Sequence, residues 1–377
     1  MRVGVVGGGV VGLATAWGLA RRGAHVDLFE AATKVPNPDA ASVDQHRLYR
    51  TPYGNQDGYA RLMAPAMEAW DRVWDALGER LYAQTGCLAL CTADGDWTDQ
   101  SRASLVRLEL PHRVMTPAEV EARCPMLEVG DSRYGLWTEL GGVLFADAIT
   151  AGFARLAAAA RVELHAGTPV AAVEETGTIV LADRRRLDFD AVMVAAGAKT
   201  PGLLPWTAPG VTVLRQVVGY APPPEGLAEA WAGAPILLDM GHSGGSRGMF
   251  CAPPVAGRGL KFGCGARNHP SAAGADPLAQ PEEVAAVMGV WRERLRDFEG
   301  YRVTKARVCW YANEATQRFV AGQRGRVVAM TGCSGHAFKF GALLGEALAA
   351  AIVSGGEGDL AWMRGDSAAF DAVRLAA

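Results

Sequence analysis

Residues 2–30 read RVGVVGGGVVGLATAWGLARRGAHVDLFE, and the fold turns on this stretch. A short Val-rich strand runs into Gly7-Gly8-Gly9. A helical segment follows, with Leu13, Ala16, Trp17 and Ala20 on one face, and then a second strand from His25 to Phe29. Gly7, Gly9 and Gly12 fit G-x-G-x-x-G. Gly7 permits a tight turn, Gly9 lets backbone approach a pyrophosphate, and Gly12 lets helix and strand pack closely. The anion would sit at the helix N-terminus, where free N–H groups and the dipole favour negative charge. Glu30 closes the second strand and is placed to accept hydrogen bonds from a ribose. The motif alone does not separate NAD from FAD.

The rest of the chain limits the alternatives. A length of 377 residues suits two domains. A net charge of −3 gives no basic footprint for nucleic acid or an acidic membrane surface. The uncharged run 3–20 is broken by six glycines and exits through Arg21-Arg22, so it reads as neither signal peptide nor membrane span. Seven scattered cysteines suit a reducing, cytoplasmic compartment. Cys87 and Cys91 lack a second pair at ligand spacing, so no metal site is expected.

Patterning predicts helices over 57–77, 144–160 and 281–298, and strand pairs over 161–200. After 318 it predicts one strand, a Gly-rich turn and a long helix. LDFDAVMVAAGAKTPGLL (187–204) reads as a buried strand whose small residues, Ala195 to Ala198, end it beside a bound dinucleotide or simply form a glycine exit. The expected architecture is α/β (α+β, two domains): a Rossmann-like domain over 1–80, 142–205 and 316–377. It is interleaved with a mostly antiparallel β-sheet domain over 81–141 and 206–315.

CSGHAFKFGALLGEALA (333–349) resembles the monomeric sarcosine oxidase and N-methyltryptophan oxidase group of D-amino-acid-oxidase-like flavoproteins. HRLYR (46–50), GLKFGCG (259–265) and VCWY (308–311) follow the same pattern in the same order. The resemblance implies FAD, a small amino-acid-like substrate and O2, and a monomer with no nucleic-acid or membrane partner. The implied reaction oxidises a secondary or cyclic amine to an imine and reduces O2 to H2O2.

Roles follow from the same resemblance. Arg50 and Lys339 would grip the substrate carboxylate, and Tyr311 would line the substrate cavity. Lys261 would sit on the oxygen side of the flavin, where an ammonium stabilises superoxide. Arg47 would lie near the flavin ring, and Gly335 and His336 would contact the cofactor. Cys309, by default a packing residue in an apolar run, would instead carry the flavin covalently through a thioether.

Departures from the group are also visible. Gly265 stands where the sarcosine oxidases have a histidine, Phe250 or Cys251 where they have a tyrosine, and His46 where they have a threonine. These changes imply a pocket open to a larger side group. A flavin dehydrogenase with another electron acceptor, or a flavin-binding protein without turnover, are the alternative readings.

Overall fold

The computed structural model describes residues 1–241, 247–355 and 358–364; the end of the third dinucleotide-domain segment, 365–377, lies outside the described residues. The opening stretch forms β1 (Arg2–Val6), α1 (Val10–Ala20) and β2 (His25–Phe29). β1 pairs in parallel with β2 on one side and with the strand Ala191–Val194 on the other. The strands Glu163–His165 and Val327–Thr331 extend this parallel sheet, and Val320–Arg324 closes it as an antiparallel sixth strand.

Alternation along these strands puts side chains into two different cores. Val3, Val5, Ala191 and Met193 face a helical layer that contains α1 and the helices Met63–Leu77, Ala146–Ala159 and Gly341–Ser354. Val6, Val192 and Val194 face the small sheet 170–188, joined there by Ile179 and Phe189. Buried on both faces, the strands Ala191–Val194 and Val327–Thr331 are near-continuous apolar runs, whereas β2 carries Asp27 and Glu163–His165 is mostly polar. α1 is itself enclosed almost all round, so its one-faced pattern understates its burial. It meets the helix Gly341–Ser354 through small residues, a Cβ on Gly345 falling 2.5 Å from that of Ala14.

A second, nine-stranded sheet takes its strands from 87–138 and 211–314. Its long strands Val211–Tyr220 and Lys305–Glu314 pair antiparallel along their whole length, with Gln216 opposite Cys309. Lys261 sits opposite Tyr220 on the next strand. Behind them Phe262 packs edge-on against Trp231, Trp291 and Tyr301. The fold is mixed α/β. A three-stranded sheet of β3 (Arg47–Arg50), Gly141–Leu144 and Tyr82–Gln84 carries Arg47 and Arg50.

Several predicted boundaries change. The helix expected over 57–77 is two, Asp57–Arg61 and Met63–Leu77. Pro65 has no N–H to give the Arg61 carbonyl, so the first helix cannot run on unbroken. The helix expected over 281–298 ends at Gly289. Beyond it Trp291 and Leu295 are drawn into the core and Arg294 donates to Asp239 at 2.7 Å, contacts that override helical spacing. The single strand expected after 318 is a hairpin turning at Gly325 (φ 53°). A helix at Trp97–Arg107, capped by the Asp96 carboxylate on Asp99 N, had no counterpart in the sequence reading.

The close approach of α1 to β1 gives a direct test. A Cβ on Gly12 would fall 1.9 Å from the Gly7 carbonyl oxygen, a backbone atom that cannot swing aside. Gly12→Ala should destabilise the protein by about 3 kcal/mol, the scale of overpacking a close-packed contact. Gly289→Ala, where a Cβ meets nothing within 4 Å, should be neutral or mildly stabilising. Thermal unfolding of both variants checks the contrast.

Candidate functional site

The glycine turn and the ends of the parallel strands bound a groove of about 480 Å³. Gly7 is held at φ 108°, and a Cβ there would lie 2.5 Å from the Ala195 carbonyl oxygen. Gly9 caps α1 without any side-chain bond, and Val10 N donates to Ser42 Oγ at 3.0 Å. Ser42 comes from the loop before β3 and carries no local sequence signal. Glu30 is buried at the groove's edge. Its Oε2 accepts from Gly8 N and its Oε1 from Ala32 N, both at 2.9 Å. Oε1 also accepts from Asn37 Nδ2 at 3.3 Å, and Oε2 keeps a lone pair for a further donor. Ala195 and Gly197 line the groove as expected, while Gly12 does not, its place being taken up by the contact with Gly7. A long groove with an anion-accepting helix end and an acid beside it fits a dinucleotide.

At its other end the groove meets a second cavity of about 550 Å³, sharing Arg47, Gln216, Cys309, Tyr311, Gly335 and Phe338. Arg50 and Lys339 both line this second cavity. The Arg50 guanidinium lies 4.4 Å from the Tyr53 ring centre and 5.1 Å from that of Trp97, and it donates to the Pro52 carbonyl. Lys339 is 4 % exposed; its Nζ donates to His336 O at 3.0 Å and lies 5.5 Å from the same Tyr53 ring. Among the described residues neither cation has a carboxylate within ion-pair distance. Burial, then the Arg50 charge, hold the Lys339 ammonium well below its usual range. A half-buried and a buried cation on one cavity make an anion-seeking site.

His336 belongs to this second cavity and not to the groove, which relocates a residue assigned to the cofactor. Its ring stacks on Phe319 at 4.7 Å, while Nε2 meets Gln317 O at 2.8 Å and Nδ1 meets Tyr53 Oη at 3.3 Å. Burial and the Lys339 charge push it well down, so it is neutral. Tyr311 lines both spaces and accepts a hydrogen bond from Asn268 Nδ2 at 2.8 Å. Gly335, at φ 73°, passes under its ring, which a Cβ would approach to 3.5 Å.

The third group is organised by Asp44, a residue sequence reasoning missed. Lys261, 2 % exposed and lining the second cavity, donates to Asp44 Oδ2 at 3.0 Å and to His46 O at 2.6 Å. Arg47 donates to the same carboxylate, to Ala41 O at 2.5 Å and toward Cys309 Sγ at 3.9 Å. The buried Cys309 thiol thus faces a guanidinium where groove and cavity join.

The three departures resolve geometrically. Phe250 lines the cavity, lying over Gly263, while Cys251 is fully buried in the core behind. Gly265 lines the cavity too, and a Cβ there would meet only the Gly248 carbonyl oxygen, at 3.7 Å. His46 turns away, bonding Gly259 O at 2.8 Å, and lines neither space.

Similarity to known proteins agrees with this arrangement. Over 362 residues the chain is 25% identical to a monomeric sarcosine oxidase from Bacillus sp. (strain NS-129), covering 93% of this chain and 92% of that one. It is 24% identical over 354 residues to an N-methyl-L-tryptophan oxidase from Yersinia pestis (strain Pestoides F), covering 92% and 93%. The fold matches the open form of NikD, an amino acid oxidase essential for nikkomycin biosynthesis, with a TM-score of 0.80, 20% identity and 96% of each chain covered. The DAO family, described as FAD dependent oxidoreductase, matches residues 2–351. The chain belongs to this family and is an FAD-dependent amine or amino-acid oxidoreductase.

Proposed function

We propose that the protein is an oxidase of a secondary or cyclic amino acid, converting its C–N bond to an imine and passing the electrons to O2. The observation that carries this reading is the Arg50–Lys339 pair, a half-buried and a buried cation on one cavity without an acidic partner among the described residues. Arg offers a planar fork and Lys a movable point charge, so together they fix both the position and the tilt of a carboxylate. Bound FAD would accept a hydride equivalent from the carbon next to that carboxylate. The clamp's task is to hold this carbon at the mouth of the groove, where Tyr311 and Gly335 join the two spaces.

The relatives act on N-methylated amino acids, as their names state. Part of this cavity of about 550 Å³ would be taken by the flavin, since Arg47, Cys309 and Lys261 line it, and the rest is left for the substrate. Val218, Leu238, Met240 and Phe250 supply an apolar wall, and Gly265 leaves room beside it. The substrate we infer has a carboxylate, a secondary amine and a side group larger than sarcosine's. Lys261 is the cation for the oxygen half-reaction, and Arg47 is the one nearest the flavin ring.

Cys309 is the tether in this reading. Cys309 would hold the flavin through a thioether to the methyl carbon on its benzenoid side, the thiol and methyl protons being lost and the two electrons released going to O2. Acid precipitation of the holoprotein should leave the yellow colour in the pellet, and Cys309→Ala should release it to the supernatant. Colour in the supernatant for the native protein contradicts the tether.

Lys339→Met tests the clamp, because it keeps chain length and removes charge. The kcat/KM for the acid should fall roughly 30- to 1,000-fold, equivalent to ~2–4 kcal/mol, while a decarboxylated analogue should change little. An equal decline for both substrates would contradict the clamp.

The same variant has a stability signature of opposite sign. A lysine whose folded pKa lies below its unfolded value of about 10.4 binds fewer protons when folded. Native stability therefore rises with pH between those two values and is reduced below them. Removing the ammonium should stabilise the substrate-free protein by ~1–3 kcal/mol at neutral pH, read as a raised Tm.

A further inference from the structure

Asp44 is buried, 5 % exposed, in the loop that leads into β3, and its two oxygens accept four hydrogen bonds. Oδ1 takes the Tyr220 hydroxyl and, at 2.8 Å, its neighbour's amide Gln45 N. Oδ2 takes Lys261 Nζ at 3.0 Å and the Arg47 guanidinium. Lys261 has three N–H donors. Asp44 and His46 O use two of them, which leaves one for whatever occupies the cavity that Lys261 lines. The carboxylate thus fixes the direction of the ammonium and supplies the charge that lets it remain protonated out of water.

We propose that Asp44 is the positioning residue for Lys261 and Arg47, coupling the cavity-side and groove-side cations into one unit with a net charge of +1. The proposal rests on the reading of Lys261 as the cation of the oxygen half-reaction, but its structural half does not. Lys339 is the internal comparison. Both lysines are buried, yet of the two only Lys261 has a carboxylate partner among the described residues.

Burial lowers the Lys261 pKa and Asp44 acts against that, with Arg47 lowering it further and the Cys309 thiol raising it. The Asp44 carboxyl is held well below the usual range: burial raises it, but Lys261 and Arg47 lower it by more. His46 is pushed down to about 3 by burial and by Lys261. Burial raises the Tyr220 hydroxyl and the Cys251 thiol. A titration present in the native protein and absent from Lys261→Met therefore reports on Lys261.

The chain has five lysines, at 34, 199, 261, 305 and 339, so lysine-labelled NMR of the holoenzyme resolves individual ammonium titrations, with Lys261→Met giving the assignment. In the native protein Lys261 should stay charged to a higher pH than Lys339. In Asp44→Asn its midpoint should fall by at least ~1–2 pH units, the shift expected when an opposite charge within hydrogen-bond distance is removed. Asp44→Glu, which keeps the charge, should restore most of it.

The second-order rate of reduced-flavin oxidation by O2 should then decline, in Asp44→Asn alone, as pH rises through that same lowered midpoint. A native Lys261 that titrates at or below Lys339 overturns the proposal, as does an Asp44→Asn midpoint equal to the native one. A shifted midpoint with an oxygen rate indifferent to pH supports Asp44 as the partner of Lys261 and overturns the oxygen-side reading instead.

Discussion

The site depends on how buried positive charge is partnered. One carboxylate, Asp44, binds a lysine and a tyrosine of the nine-stranded sheet and an arginine of β3, so it joins two separately built sheets. Around it, desolvation is compensated by four donors. Arg50, further along β3, and Lys339 meet only carbonyls and ring faces among the described residues. An unpartnered buried charge such as that of Lys339 is costly, and in the proposed reading an anionic ligand completes its compensation. The two lysines contrast: Lys261 has a carboxylate partner, whereas Lys339 donates to a backbone carbonyl.

Geometry links these charges to the cofactor groove through few residues. The strand Lys305–Glu314 sets Cys309 and Tyr311 at the junction, opposite Gln216 and Leu214 of the neighbouring long strand. Because that pairing runs unbroken over ten residues, the thiol and the phenol keep a fixed spacing. Loop backbone at 331–335, with Gly332 and Gly335 at positive φ, then brings the polypeptide past Tyr311 before the helix that carries it back to α1. Binding and positioning therefore share one rigid wall.

Legibility in the sequence followed how local each constraint is. Gly7, Gly9 and Gly12 could be read because their spacing falls within six residues, and at Gly7 and Gly12 close backbone contact leaves no other residue type. The strands Ala191–Val194 and Val327–Thr331 could be read because burial on both faces makes them near-continuous apolar runs. Arg50, Lys339, Lys261 and Cys309 could be singled out only through the resemblance, since a lone cation or thiol has no pattern of its own. Asp44 had no signal at all: its lysine is 217 positions away, and only folding brings the two to 3.0 Å. Helix ends failed for related reasons, with Arg294 pulled out of helical register by Asp239 from a distant strand.

The central claim is that this flavoprotein oxidises an amino acid held by its carboxylate. Anaerobic mixing of the holoenzyme with a panel of N-alkyl and cyclic amino acids, alongside their decarboxylated counterparts, tests it most directly. The account predicts that at least one acid with a side group larger than sarcosine's bleaches the flavin within the mixing experiment. Its decarboxylated counterpart should leave the colour intact, and admitting air should restore the colour with release of peroxide. Bleaching by the amine as fast as by the acid, or by no member of the panel, would contradict it.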